Sequence, residues 1–71
     1  MFMIDNTNLK YNFFKCACDD AVRLAQKRGV SSIVCCETKK TVAHFVLGHN
    51  GIVLPFSYSG LYAALIKEWA R

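Results

Sequence analysis

Four cysteines and two histidines are the side chains of this sequence suited to nucleophilic attack or metal ligation. The cysteines stand as Cys16-Ala17-Cys18 and as the vicinal pair Cys35-Cys36, with His44 and His49 apart from both. Structural zinc sites take paired ligands separated by about two to four residues on turns, and neither pair fits. Cys35 and Cys36 lie in Ile33-Val34-Cys35-Cys36, a strand-like run whose neighbours point to opposite faces, so both cannot reach one metal. No local signature surrounds a Cys–His combination. The expectation is four reduced thiols serving as small core hydrophobes in a reducing, cytoplasmic setting, with no metal and no cofactor. His44, among valines, reads as a hydrogen-bonded strand residue and His49 as a solvated turn residue. A thiol or redox enzyme ranks last of three function classes.

Asp19-Asp20 are paired carboxylates, but adjacent helical residues do not face each other. They read as cap and dipole partners if a helix starts there, and as a solvated face otherwise. Neither position supports general acid–base catalysis. No phosphate loop, Gly-rich cradle or carboxylate cluster occurs. The expectation is a protein without enzymatic activity.

Binding chemistry is better represented. Arg23, Lys27 and Arg28 close a predicted helix, Lys39 and Lys40 tip a predicted hairpin, and Lys10 and Lys15 come earlier. Such charges can track a phosphate backbone or engage an acidic protein surface; the alternative is a solvated rim matched to helix dipoles. No basic run interleaved with aromatics is present, so single-strand stacking is not indicated. The segment Pro55-Phe56-Ser57-Tyr58-Ser59-Gly60 presents two aromatics that serve as interface anchors if exposed and as core if buried.

These groups are distributed unevenly. Nine Lys and Arg against five Asp and Glu give a net charge of +4, yet Thr41 to Ile66 contains none of the four. That stretch holds glycines, Pro55 and polar turns, so it is no spanning helix, and no membrane association is expected. It also leaves room for an apolar patch and a homodimer. At 71 residues, 54% of them hydrophobic and 20% charged, the chain has the composition of one folded domain, residues 1–71, rather than of a disordered or multidomain protein.

The elements that must position these residues follow from periodicity. Asp5-Asn6-Thr7-Asn8 is a cluster of cap and turn residues, after which Leu9, Phe13, Ala17, Ala21 and Leu24 recur at helical spacing up to Arg28, with Gly29 as the stop. Residues 8–16 also admit a strand, with the helix starting near Asp19; the long helix is the preferred reading. Strands are predicted over Ser31–Glu37, Thr41–Leu47 and Ile52–Leu54, the last ended by Pro55, with an Asn50-Gly51 hairpin between the second and third. A final helix carries Tyr58, Leu61, Tyr62, Leu65, Ile66 and Trp69 on its apolar face, and Lys67, Glu68 and Arg71 outside. The predicted fold is α+β, in the order α-β-β-β-α, with a three-stranded antiparallel sheet packed on one face by two helices.

That order, at this length and with a net positive charge, resembles the double-stranded-RNA-binding domain. The family's lysine-rich opening of the second helix is missing: Ser57-Tyr58-Ser59-Gly60-Leu61-Tyr62 has no lysine before Lys67. By size and class the chain also resembles phage accessory proteins of the anti-CRISPR type, which block a surface of a host complex. The leading expectation is accordingly a binding protein of inhibitor type. Its partner would be a host protein or nucleoprotein complex, met through Arg23, Lys27, Arg28, Lys39, Lys40, Phe56 and Tyr58. The second expectation is a small nucleic-acid-binding domain for structured RNA.

Overall fold

Phe14, Ala17, Cys18, Ala21 and Ala25 form the buried stripe of a 15-residue helix, and Gly29 ends it in the left-handed region at φ 91°, its N–H bonded to Ala25 O. The structure, a computed structural model, describes residues 1–70. Its elements are β1 (Phe2–Ile4), β2 (Lys10–Tyr11), α1 (Phe14–Arg28), β3 (Val30–Cys35), β4 (Lys40–Leu47), β5 (Val53–Phe56) and α2 (Gly60–Trp69). The strands form one antiparallel sheet in the order β2-β1-β3-β4-β5. The fold is α+β with two helices, as expected, but five strands replace the expected three.

The difference lies in the first thirteen residues. Asp5-Asn6-Thr7-Asn8 is a hairpin turn rather than a helix cap: Asn6 has φ 62°, and Thr7 Oγ1 donates to Ile4 O at 2.7 Å. This turn folds Lys10 and Tyr11 back onto Met3 and Phe2. Leu9 and Phe13, counted in the helical stripe, precede the helix and are exposed, Phe13 by 70%. The helix starts at Phe14, between the two predicted starts. The element order is therefore β-β-α-β-β-β-α.

Two further boundaries move. β5 runs through Pro55 to Phe56, which an edge strand tolerates because its outer side needs no N–H. Tyr58, assigned to the apolar face of the last helix, lies before α2 and is 91% exposed. Arg71, expected on the outer side of that helix, lies outside the described residues. The Asn50-Gly51 hairpin forms as predicted, with Gly51 at φ 80° and Gly48 N–H bonded to Ile52 O at 2.8 Å.

Small side chains on α1 let the helix approach the sheet closely, and Ile4, Ile33 and Phe45 fill the interface. Ser31, the buried polar residue of β3, donates from Oγ to Ala21 O at 2.6 Å. Phe2, Phe14 and Tyr62 cluster at one margin, with ring centroids 5.1–6.0 Å apart. α2 buries Ile66, and Tyr62, Leu65 and Trp69 in part. Both helices thus share one core with one face of the sheet.

Candidate interaction surface

Strand alternation sends every second residue to the face that no helix covers. Ile4, Ile33, Ala43 and Phe45 point into the core, so their neighbours point out, except Val42, which a register shift opposite Ile33 and Val34 leaves packed against the core. The cross-strand pairs there are Met3 with Lys10 and with Val34, Val30 with Val46, Ser32 with His44, Val46 with Leu54, and His44 with Phe56. An antiparallel sheet open to water ordinarily places polar residues outward. Here the outward set is mostly aliphatic and aromatic, with Val30 54%, Leu54 57% and Phe56 41% exposed. Its one charge, Lys10, sits at the β2 edge. This departure from the usual alternation singles out the surface.

An aromatic group stands at one end of that face. His44 and Phe56 stack across β4 and β5 with centroids 5.1 Å apart and planes at 24°. Tyr58 meets both edge-on at 6.1 and 6.0 Å. The ring of His44 is held from the other side, where Ser32 Oγ lies 3.0 Å from Nδ1. Ser57 Oγ donates to Val42 O at 2.6 Å and accepts from Ser59 N–H at 3.1 Å, which fixes the loop bearing Tyr58. Beside Tyr58 a cleft of about 360 Å³ is lined by Lys40, Thr41, His44, Ser57 and Tyr62, among others.

The residues expected to bind a partner divide into two groups. Phe56, Tyr58 and Lys40 come together at this end, and Lys39, at φ 59° in the turn, precedes Lys40. Arg23, Lys27 and Arg28 lie elsewhere. Leu47 N–H bonds to Gly29 O at 2.9 Å, so the end of α1 meets the last residue of β4, whereas Lys40 is its first. Eight strand residues at about 3.3 Å each separate the two groups by roughly 25 Å. The basic residues expected to meet one partner therefore stand at opposite ends of β4. Arg23 is further engaged by Asp20 at 3.6 Å, while Lys27, Arg28, Lys39 and Lys40 make no ion pair among the described residues.

Sequence reasoning missed Val30, Val46, Leu54 and the placement of His44 against Phe56. The signal lies in the alternation of His44 and Val46 with Phe45 and Leu47, but alternation alone does not say which side the helices leave bare.

The thiols are spread out. Cys16 is exposed, Cys36 half-buried, Cys18 and Cys35 buried, and none is in a disulfide. Burial pushes the Cys18 thiol up to about 12. Cys35 Sγ donates to Glu37 Oε2 at 3.1 Å, and the Met1 ammonium donates to Oε1 at 2.6 Å. The ammonium first, and the thiol second, hold the Glu37 carboxyl down to about 2. Among the described residues no three His, Cys, Asp or Glu side chains are grouped to hold a metal ion. Asp19 and Asp20 each accept a hydrogen bond from another element, Trp69 and Tyr11 respectively.

Among the described residues no helix is long and apolar enough to cross a membrane. Comparison with protein-family models, curated proteins and solved structures finds no match for this chain.

Proposed function

We propose that this is a non-enzymatic binding protein whose working surface is the uncovered face of the sheet. The observation that carries the reading is the exposed apolar set Val30, Val46, Leu54 and Phe56 on a face without charge except at its β2 edge. Aliphatic and aromatic side chains held on strands form a rigid patch that costs little ordering entropy on docking. Inhibition of a host protein or nucleoprotein complex by occlusion, in the anti-CRISPR manner, requires a rigid scaffold and one such patch. Capture from a bacterial lysate by the immobilised protein tests the reading. A partner retained by the wild type is expected to be lost with Leu54→Lys and reduced with Phe56→Ala; equal recovery by all three removes the face from the proposal.

A second reading, binding of structured RNA, is favoured by one observation: exposed Tyr58, which meets Phe56 edge-on, lines a cleft together with Lys40. Aromatic faces stack on unpaired bases and lysines neutralise phosphates. Binding of a fluorescent RNA hairpin at low salt that weakens steeply as salt rises, and weakens further with Lys39→Ala and Lys40→Ala, is the expected result of that reading. Absence of binding at about 50 mM salt eliminates it.

A further inference from the structure

We infer that the uncovered sheet face is occupied in solution by the same face of a second copy of this chain, two sheets packing between two outer helical layers. The inference rests on the reading of that face as the working surface and names its occupant. Charge is the first argument. A chain of net charge +4 repels its own copy along most approaches. The uncovered face is the exception, since β4 beyond Lys40, and all of β3 and β5, carry no charged residue, and Lys10 stands at the β2 edge. Packing by this face turns α1, with Arg23, Lys27 and Arg28, away from the partner copy.

Size is the second argument, and it sets the strength. Strands of 3, 2, 6, 8 and 4 residues, at about 4.8 by 3.3 Å per residue, make a face of roughly 360 Å². Two such faces bury on the order of 700 Å² together, the range of weak and transient contacts, so the dimer is weak. The edges supply the third argument. β2 has two residues and β5 contains Pro55, which offers no N–H, so lengthening the sheet edge to edge is disfavoured. Face-to-face packing of twisted sheets, about 10 Å apart, has no such obstacle.

Sedimentation velocity from about 1 µM to about 1 mM, the range of weak to moderate association, tests the inference. The mass is expected to rise from 8.0 kDa toward twice that value. Val46→Lys and Leu54→Lys, which place like charges on the face, are each expected to stay at the monomer mass with an unchanged far-UV spectrum, while Lys27→Ala on α1 associates like the wild type. A dimer indifferent to both face substitutions overturns the inference. So does a wild-type monomer throughout, and binding of the apolar dye anilinonaphthalene sulfonate then separates two cases. Dye bound by the wild type and lost in Leu54→Lys overturns the second copy alone and leaves the face open to another partner. No dye bound overturns the underlying reading of the face as well.

Discussion

Trp69 Nε1 donates to Asp19 Oδ1 at 2.8 Å, and the same indole meets Phe45 edge-on with centroids 5.9 Å apart. One side chain therefore ties α2 both to α1 and to the core of β4. Ile66 is the one buried residue of α2, so this tie adds to the partial packing of Tyr62 and Leu65 in holding the helix against the sheet. Trp69→Phe retains the ring and loses the hydrogen bond, at an expected cost of about 1 kcal/mol. Trp69→Ala also loses the packing, at about 3 kcal/mol. For a domain of this size each kcal/mol lowers Tm by about 4–8 °C, readable by circular dichroism. Asp19→Ala should match Trp69→Phe; full stability in Asp19→Ala would show that the hydrogen bond contributes nothing.

Tyr11 couples β2 to α1 in the same way, its hydroxyl donating to Asp20 Oδ2. Burial, and then the Asp20 hydrogen bond, push the phenol from 10.0 up to about 12. An acid whose folded pKa is raised contributes stability that is present below its unfolded pKa and is lost as pH climbs through the folded one. The urea midpoint is therefore expected to fall between pH 10 and about 12 more steeply in the wild type than in Tyr11→Phe. At neutral pH Tyr11→Phe should already be less stable by about 1 kcal/mol. Parallel pH profiles for the two proteins would contradict this.

The parts of the fold legible in the sequence are those with a local cause. Gly29 after a stripe of small apolar residues stops α1, and Asn50-Gly51 turns β4 into β5, both through backbone angles that few other residues adopt. β1 and β2 were illegible because five strand residues are too few to display alternation, and Asp5 to Asn8 suits a turn as well as a cap. What selects the turn is long-range: Phe2, Met3 and Ile4 pair with Cys35, Val34 and Ile33. The candidate surface was half legible for a similar reason. Phe56 and Tyr58 could be named from their loop, but their proximity to His44 depends on the β4–β5 register, and the distance of Arg28 from Lys40 depends on the direction of β4.

The placement of the thiols yields a reactivity order. Cys16 is exposed on α1, two residues and so about half a turn from buried Cys18, whose thiol burial pushes up to about 12 and so keeps protonated at neutral pH. Titration of the native protein with Ellman's reagent at pH 8 should show a fast phase that Cys16→Ser removes. Cys18 should react only when the protein is unfolded in denaturant. Fast labelling of Cys18 in the native state, identified by peptide mapping, would place α1 away from the sheet.

The close approach of α1 to the sheet makes the sharpest test of the packing. Ala21 is fully buried, belongs to the cluster that holds Ile33 and Phe45, and accepts the Ser31 hydroxyl at its carbonyl. Ala21→Leu favours the helix by propensity no less than alanine does within a few tenths of a kcal/mol, so propensity predicts almost no effect. Overpacking predicts a loss of about 1–3 kcal/mol, because the helix cannot withdraw without stretching the Ser31 hydrogen bond. Gln26→Leu on the exposed side of α1 should stay within about 0.5 kcal/mol of the wild type. Denaturation of both variants separates the two effects: equal stabilities would mean that α1 is held less tightly than its row of small side chains implies.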